Sequence, residues 1–236
     1  MDASEGKGRA LVDIGRAITY VFQDPQWLKK VLIGGLLFFI PIIGWLIIGG
    51  YWLRVIRQVA QGQDVPLPEW NDFGGDLVRG LKGFVVGVVW SLPVIVLAFC
   101  TGVLGAVGDG TGSDAVRAMA AVLALVGNCL SFLLSLIIGF FQPLFYSRLA
   151  MSEQIGDGLA FGDIFGEVQG RFVDLLVVLI VAFVIGLVAS FGLLLCLIGI
   201  VFTSFLGYVM TCHLYGQVRR RIMGTQAEPL APSPAF

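Results

Sequence analysis

Few side chains in this sequence could do chemistry, and their spacing limits what that chemistry would be. Gln142 and Pro143 stand together in GFFQPLFYSR, a carboxamide beside a residue with no backbone N–H. In apolar surroundings this pair could bind a partner or substrate; structurally, it reads as an interhelical hydrogen bond satisfying a kink. Asn128 lies on the same apolar run, near one helical face with Ser131 and Ser135, and Ser91 with Pro93 makes a comparable break in the preceding run. Gln142, Pro143, Asn128 and Ser91 are therefore the candidate intramembrane polar site. His213 is the one histidine and has no second ligand or carboxylate beside it, so it reads as an interfacial histidine. Asp72/Asp76 and Asp163/Glu167 are each spaced i, i+4, on one helical face. Paired carboxylates can serve as acid and base, but at a helix start they complement the dipole. No phosphate-cradling loop, nucleophile elbow or HExxH occurs. The reading is of a chain with no catalytic, cofactor-binding or metal-binding residues, and not an enzyme.

The elements that position these residues are membrane elements. Of 236 residues 57% are hydrophobic and only 13% charged, against roughly 25% charged in a soluble domain. The runs 31–53, 84–108, 118–147 and 175–212 contain no Asp, Glu, Lys or Arg. Charge-free runs argue against a proton relay or ion pathway, and a net charge of −1 argues against nucleic acid as a partner. Cys100, Cys129, Cys196 and Cys212 lie inside apolar runs and read as small buried hydrophobes. The first long apolar run begins only at Val31, too late for a standard cleavable leader.

Along the chain, residues 1–7 read as a disordered tip. Residues 9–23 form an amphipathic helix with Leu11, Ile14, Ile18 and Phe22 on one stripe, ended by Asp24-Pro25. Trp27, Lys29 and Lys30 read as an interfacial anchor. Asn71 or Asp72 caps an interfacial helix over 71–82, and another covers 162–171. The uncharged run 175–212 has 38 residues, about 57 Å as helix and nearly twice a ~30 Å hydrocarbon core. It must fold into two spans, with the corner at 190–192. The Pro-rich tail 224–236 reads as disordered.

Whether 31–53 is one span or a hairpin turning at Pro41 to Gly44 decides the topology. A hairpin places 14 of the 15 Lys and Arg residues on one side of the membrane; a single span splits them nine against six. Each arm then has only about 11 apolar residues, or ~17 Å, so this pair is short or re-entrant. The expected fold is an all-α integral membrane protein: three helical hairpins, about six membrane helices, with interfacial amphipathic helices and both termini cytoplasmic. A single span would give five helices. The expected spans are 28–41, 42–57, 83–107, 117–147, 172–190 and 192–214, within one membrane domain, 8–223. An internal repeat supports the scheme: Arg57, Asp72, Gly75 and Asp76 recur 91 residues later as Arg148, Asp163, Gly166 and Glu167.

The stretches VFQDPQWLKKVLIGGLL, GYWLRVIRQVAQGQ and LPEWNDFGGDLVRGLKG resemble a prokaryotic membrane-protein family called domain of unknown function 4013. The resemblance is strongest over 20–83 and weaker from residue 115 on. It rests on an LPxWxDF-like signature: Leu67, Pro68, Trp70, Asp72 and Phe73. It implies a multi-pass protein of the bacterial or archaeal plasma (inner) membrane and brings no catalytic residues. The expected function is a non-enzymatic membrane scaffold or accessory subunit, binding membrane lipids, a protein partner or a second copy of itself. The alternative is a small transporter or channel with a lumen between the repeated hairpins. A membrane-embedded enzyme would rest on His213 and the acid pairs alone.

Overall fold

The computed structural model describes residues 12–63, 65–192 and 196–227. Among these the elements are α1 (Ile14–Thr19), a 3-10 turn (Tyr20–Gln23), α2 (Trp27–Leu37), α3 (Ile43–Ala60), α4 (Phe73–Gly110), α5 (Asp114–Ser152), α6 (Ile155–Gly158), α7 (Phe161–Val168), α8 (Phe172–Ser190) and α9 (Cys196–Ala227). The protein is all-helical, with no strand among the described residues. By length and composition α4, α5 and α8 can each cross a membrane.

Local chemistry sets the helix ends. The Asp13 carboxylate accepts from the Arg16 N–H and caps α1; Asp72 accepts from the Gly75 N–H at 2.9 Å and caps α4. After α1 the backbone tightens into the 3-10 turn and becomes extended at Asp24, as a residue before proline favours. The apolar run 31–53 breaks at 38–42. Pro41 cannot donate to a helix, and the N–H groups of Phe38, Phe39 and Ile40 fall back on carbonyls three residues earlier. Ile42 takes a φ of 67°, uncommon for a β-branched residue, and the Trp45 indole donates to the Phe38 carbonyl at 3.0 Å across the turn.

At the centre α3, α5 and α9 pack on one another; α2 lies against α9 and α3, α4 against α3 and α5, and α8 against α9 and α5. Ile48, Tyr51 and Ile56 of α3, Leu144 and Phe145 of α5, and Val209, Leu214 and Val218 of α9 are buried there. The closest approach is between α3 and α4. A Cβ on Gly50 would overlap the Asp76 backbone, and one on Gly80 would overlap the Leu46 carbonyl. Where lipid supplies no hydrophobic drive, backbones hold together by such contact.

Several expectations change. Residues 71–82 are not a separate interfacial helix: α4 runs unbroken from Phe73, because no left-handed glycine or proline interrupts it before the apolar run begins. Pro93 and Pro143 lie inside continuous helices rather than at breaks, since one lost intrahelical bond does not end a long helix. Cys100 and Cys129 are exposed on the outer sides of α4 and α5, not buried; Cys212 is buried. Helix α9 continues to Ala227, past the start expected for the tail. The second interfacial helix stops at Val168, ahead of Gly170 with a φ of 83°. The expectations for 1–7, 9–11 and 228–236 lie outside the described residues.

Candidate functional site

A cavity of about 630 Å³ lies among α3, α4, α5, α8 and α9. Trp45 and Trp52 of α3, Gln142 and Tyr146 of α5, Gly186 of α8 and Tyr215 of α9 line it, and among the described residues no charged side chain does. Gln142 is held by α9: its Oε1 accepts from the Tyr215 hydroxyl at 2.8 Å. Trp52 stacks on Tyr208 with ring centroids 4.4 Å apart, and its buried Nε1 has no hydrogen-bond partner among the described residues. Such a site can enclose an uncharged molecule and offer it hydrogen bonds, whereas an ion here would go uncompensated.

The other candidate polar residues do not join Gln142. Pro143 is buried in the helix core beside it, Ser91 is half-buried on α4, and Asn128 is exposed on α5, about 21 Å along the helix from Gln142. The Ser131 and Ser135 hydroxyls donate to the carbonyls of Gly127 and Ser131, within their own helix. His213 is buried rather than interfacial, because the 3-10 turn after α1 covers it: its ring lies 4.1 Å from that of Tyr20, and its Nδ1 is 2.9 Å from Gln217 Nε2. Among the described residues no three His, Cys, Asp or Glu side chains gather as a metal site would require.

The acid pairs are bound to arginines. Asp76, fully buried, accepts from Arg54 at 2.5 Å and Arg79 at 3.2 Å, and Arg79 also reaches Asp72 at 2.9 Å. Arg148 reaches Asp163 at 2.9 Å and Glu167 at 2.8 Å, and Arg219 meets the same Glu167 oxygen at 2.9 Å. Arg57 pairs instead with Glu153, at 2.6 Å. With every acid engaged by a guanidinium, this layer fastens helix ends together. Gly75 N–H and Arg79 hold the Asp72 carboxyl below its ordinary value, the Arg79 hydrogen bond being the larger cause.

A second charged cluster explains the LPxWxDF signature. Lys30 is buried, and its ammonium donates to Asp24 at 2.8 Å and to the Leu67 carbonyl at 2.7 Å and forms an ion pair with Glu69 at 2.6 Å. The Leu67 N–H returns to the same Asp24 oxygen at 2.7 Å. Pro68 follows directly, and the Trp70 indole donates to the Lys30 carbonyl while its ring stacks on Tyr51 at 4.1 Å. Phe73 packs beyond Trp70 at 6.0 Å. Burial pushes the Asp24 carboxyl up, but Lys30 and the N–H groups of Gln26 and Leu67 together hold it below its ordinary value.

The family model for a protein of unknown function, DUF4013, matches residues 33–198. The chain belongs to the DUF4013 family. The match opens within α2 and closes within α9, so it holds the whole signature and the first Gln142-bearing wall of the cavity. It also takes in the region beyond residue 115, where the resemblance in sequence is less sharp. No curated protein and no solved structure matches the chain.

Sequence reasoning missed the Lys30 cluster of this DUF4013 protein. The sequence places Lys30 at the membrane surface with Lys29; Lys29 is exposed, but Lys30 is buried. The available signal is that Asp24 and Glu69 both sit in the stretches that carry the family resemblance. Tyr215 as the partner of Gln142 had no signal, because the two lie 73 residues apart.

Proposed function

We propose that this protein is a non-enzymatic scaffold or accessory subunit of the bacterial or archaeal plasma membrane, holding lipid between its helix pairs and a partner protein or second copy at its charged end. The observation that carries this is the uncharged cavity of about 630 Å³ among five helices, with the ion pairs gathered beyond one end of it. In this reading α2–α3, α4–α5 and α8–α9 are three membrane hairpins, the first re-entrant. The segments α1 with its 3-10 turn, the first turns of α4, and α7 lie at the membrane surface; Ile18 and Phe22 of the first and Phe161 and Phe165 of the last are exposed there. The basic layer and both termini face the cytoplasm.

The ion pairs support an internal repeat with a shifted register. The arginine that meets the second acid is Arg54 in one unit and Arg148 in the other, so Arg57, although aligned by sequence, sits one turn away from that role. A third unit closes through α9: Asp13 caps α1 as Asp72 caps α4, and Gln217 of α9 holds the Asp13 backbone N–H and carbonyl.

Extraction of the full chain into polymer-bounded native membrane discs, followed by mass spectrometry, tests the reading. A stoichiometric lipid or protein should co-isolate; repeated preparations holding neither would overturn it. The cavity's reach from Gln142 to Ser190 favours one other reading, a small transporter. Solute flux in liposomes that disappears with Gln142→Leu would establish that instead, and silence across a broad solute panel would remove it.

A further inference from the structure

The cavity has two unlike ends. Along α3 its wall runs from Trp45 to Ile56, about 16 Å at the helical rise. At the Trp45 end the wall is Ile185, Ala189 and Ile200, and the Ser190 hydroxyl there is already turned to carbonyls of its own helix. At the other end stand Gln142, Tyr146 and Tyr215, within two turns of Arg148 and Arg219 and so next to the charged layer.

The unspent hydrogen-bonding capacity is donor-rich. Tyr215 occupies the Gln142 Oε1, while the Gln142 Nε2 and the Tyr146 hydroxyl make no hydrogen bond among the described residues and are open to the cavity; the Trp52 Nε1 is sealed beneath the wall. Donors of this kind suit ligand oxygens. A carboxylate or phosphate is disfavoured, because no cation lines the wall to offset its desolvation; an amine is disfavoured by the lack of any carboxylate. The volume lies in the range of roughly 300–1,000 Å³ typical of sites for one small ligand.

We propose that this cavity binds a neutral single-chain lipid of the monoacylglycerol type, its uncharged glycerol ester on Gln142 and Tyr146 and its alkyl chain running past Gly186 toward Trp45. This rests on the lipid-holding reading above and names the lipid. The polar end adjoins the charged layer, so the ligand lies in the orientation of a lipid of that leaflet. Gly186 is a means of testing it: it lines the cavity at an exposed position where a Cβ meets nothing within 4 Å, so a large side chain fits beside the alkyl chain's path without displacing helix α8.

The experiment uses the full chain in nanodiscs, with a monoacylglycerol brominated on its alkyl chain as probe and tryptophan quenching as readout. The matching brominated fatty acid at pH 8 and the matching amine are the controls. Wild type should take up the monoacylglycerol at least about tenfold more tightly than either charged analogue, and Gln142→Leu should weaken it about tenfold, as loss of one hydrogen bond would. Trp45→Phe should remove most of the quenching, since the alkyl chain runs to it, and Gly186→Phe should weaken uptake with an unchanged melting temperature. If Gly186→Phe does not fold, Gln142→Leu and Tyr146→Phe carry the test. Equal uptake of all three probes, or quenching undiminished in the variants, would overturn the proposal. Co-isolation of lipid with no uptake of the monoacylglycerol would leave the scaffold reading and sink this one; uptake by a chain that co-isolates nothing would do the reverse.

Discussion

Lys30 and Asp24 meet at 2.8 Å with 2% and 1% of their side chains exposed, and between them they hold both the N–H and the carbonyl of Leu67. The first turns of α2 and the connector leading to α4 are thereby one unit. Breaking a buried pair leaves an uncompensated charge, so Lys30→Met should cost about 3–5 kcal/mol. Asp24→Asn should cost less, since an amide oxygen can still accept from a backbone N–H. Thermal unfolding of the purified variants in one detergent measures both; a Lys30→Met protein as stable as wild type would dismiss the cluster as incidental.

Acid should act through the same carboxyl. Asp24 is held below the usual 3.8, so its contribution to stability is complete above that value and is lost as pH falls through its lower folded value. The melting temperature should stay level from neutral pH down to about 5 and drop below about 4. In Asp24→Asn the acid limb should be shallower. An identical limb in both proteins would place the acid sensitivity elsewhere.

The contact of α3 with α4 makes a graded set of alanine substitutions. Gly50→Ala and Gly80→Ala put a methyl group into backbone and should each destabilise by about 1–3 kcal/mol. Gly74→Ala, in the first turn of α4 with nothing within 4 Å, should gain about 0.5–1 kcal/mol from helix propensity. Chemical unfolding of the three side by side decides it, and a Gly50→Ala protein that gains stability would contradict the close approach.

Sidedness can be read with single cysteines in a chain whose four native cysteines are replaced. Gly110, at the end of α4, and Gln154, just past α5, should label from opposite faces. A membrane-impermeant maleimide should reach Gly110→Cys in intact cells and Gln154→Cys only after permeabilisation. Labelling of both from outside would rule out the three-hairpin topology.

The helical class and its membrane character are legible because both rest on local quantities: charge-free runs, and an Asp72 whose carboxylate caps the next turn. The break at 38–42 is written in Pro41, which has no N–H to give. What stays hidden depends on distant partners. Lys30 and Lys29 are neighbours in the chain, yet only Lys30 is drawn inward, by a carbonyl 37 residues ahead. The register of Arg54 against Arg57 shows only when α3 lies beside α4. Asn128 and Gln142 look alike as polar residues in one apolar run, and packing alone separates an exposed carboxamide from one in a cavity.

Asp13 and Gln217 exchange two hydrogen bonds across 204 residues of chain, so the first and last described helices are neighbours. The described chain therefore returns at α9 to the side of α1, so a short linker could join the two without disturbing the packing between them. A circular permutant, with old termini joined by a flexible linker and new ones opened at the 111–113 turn, should insert and melt like the parent.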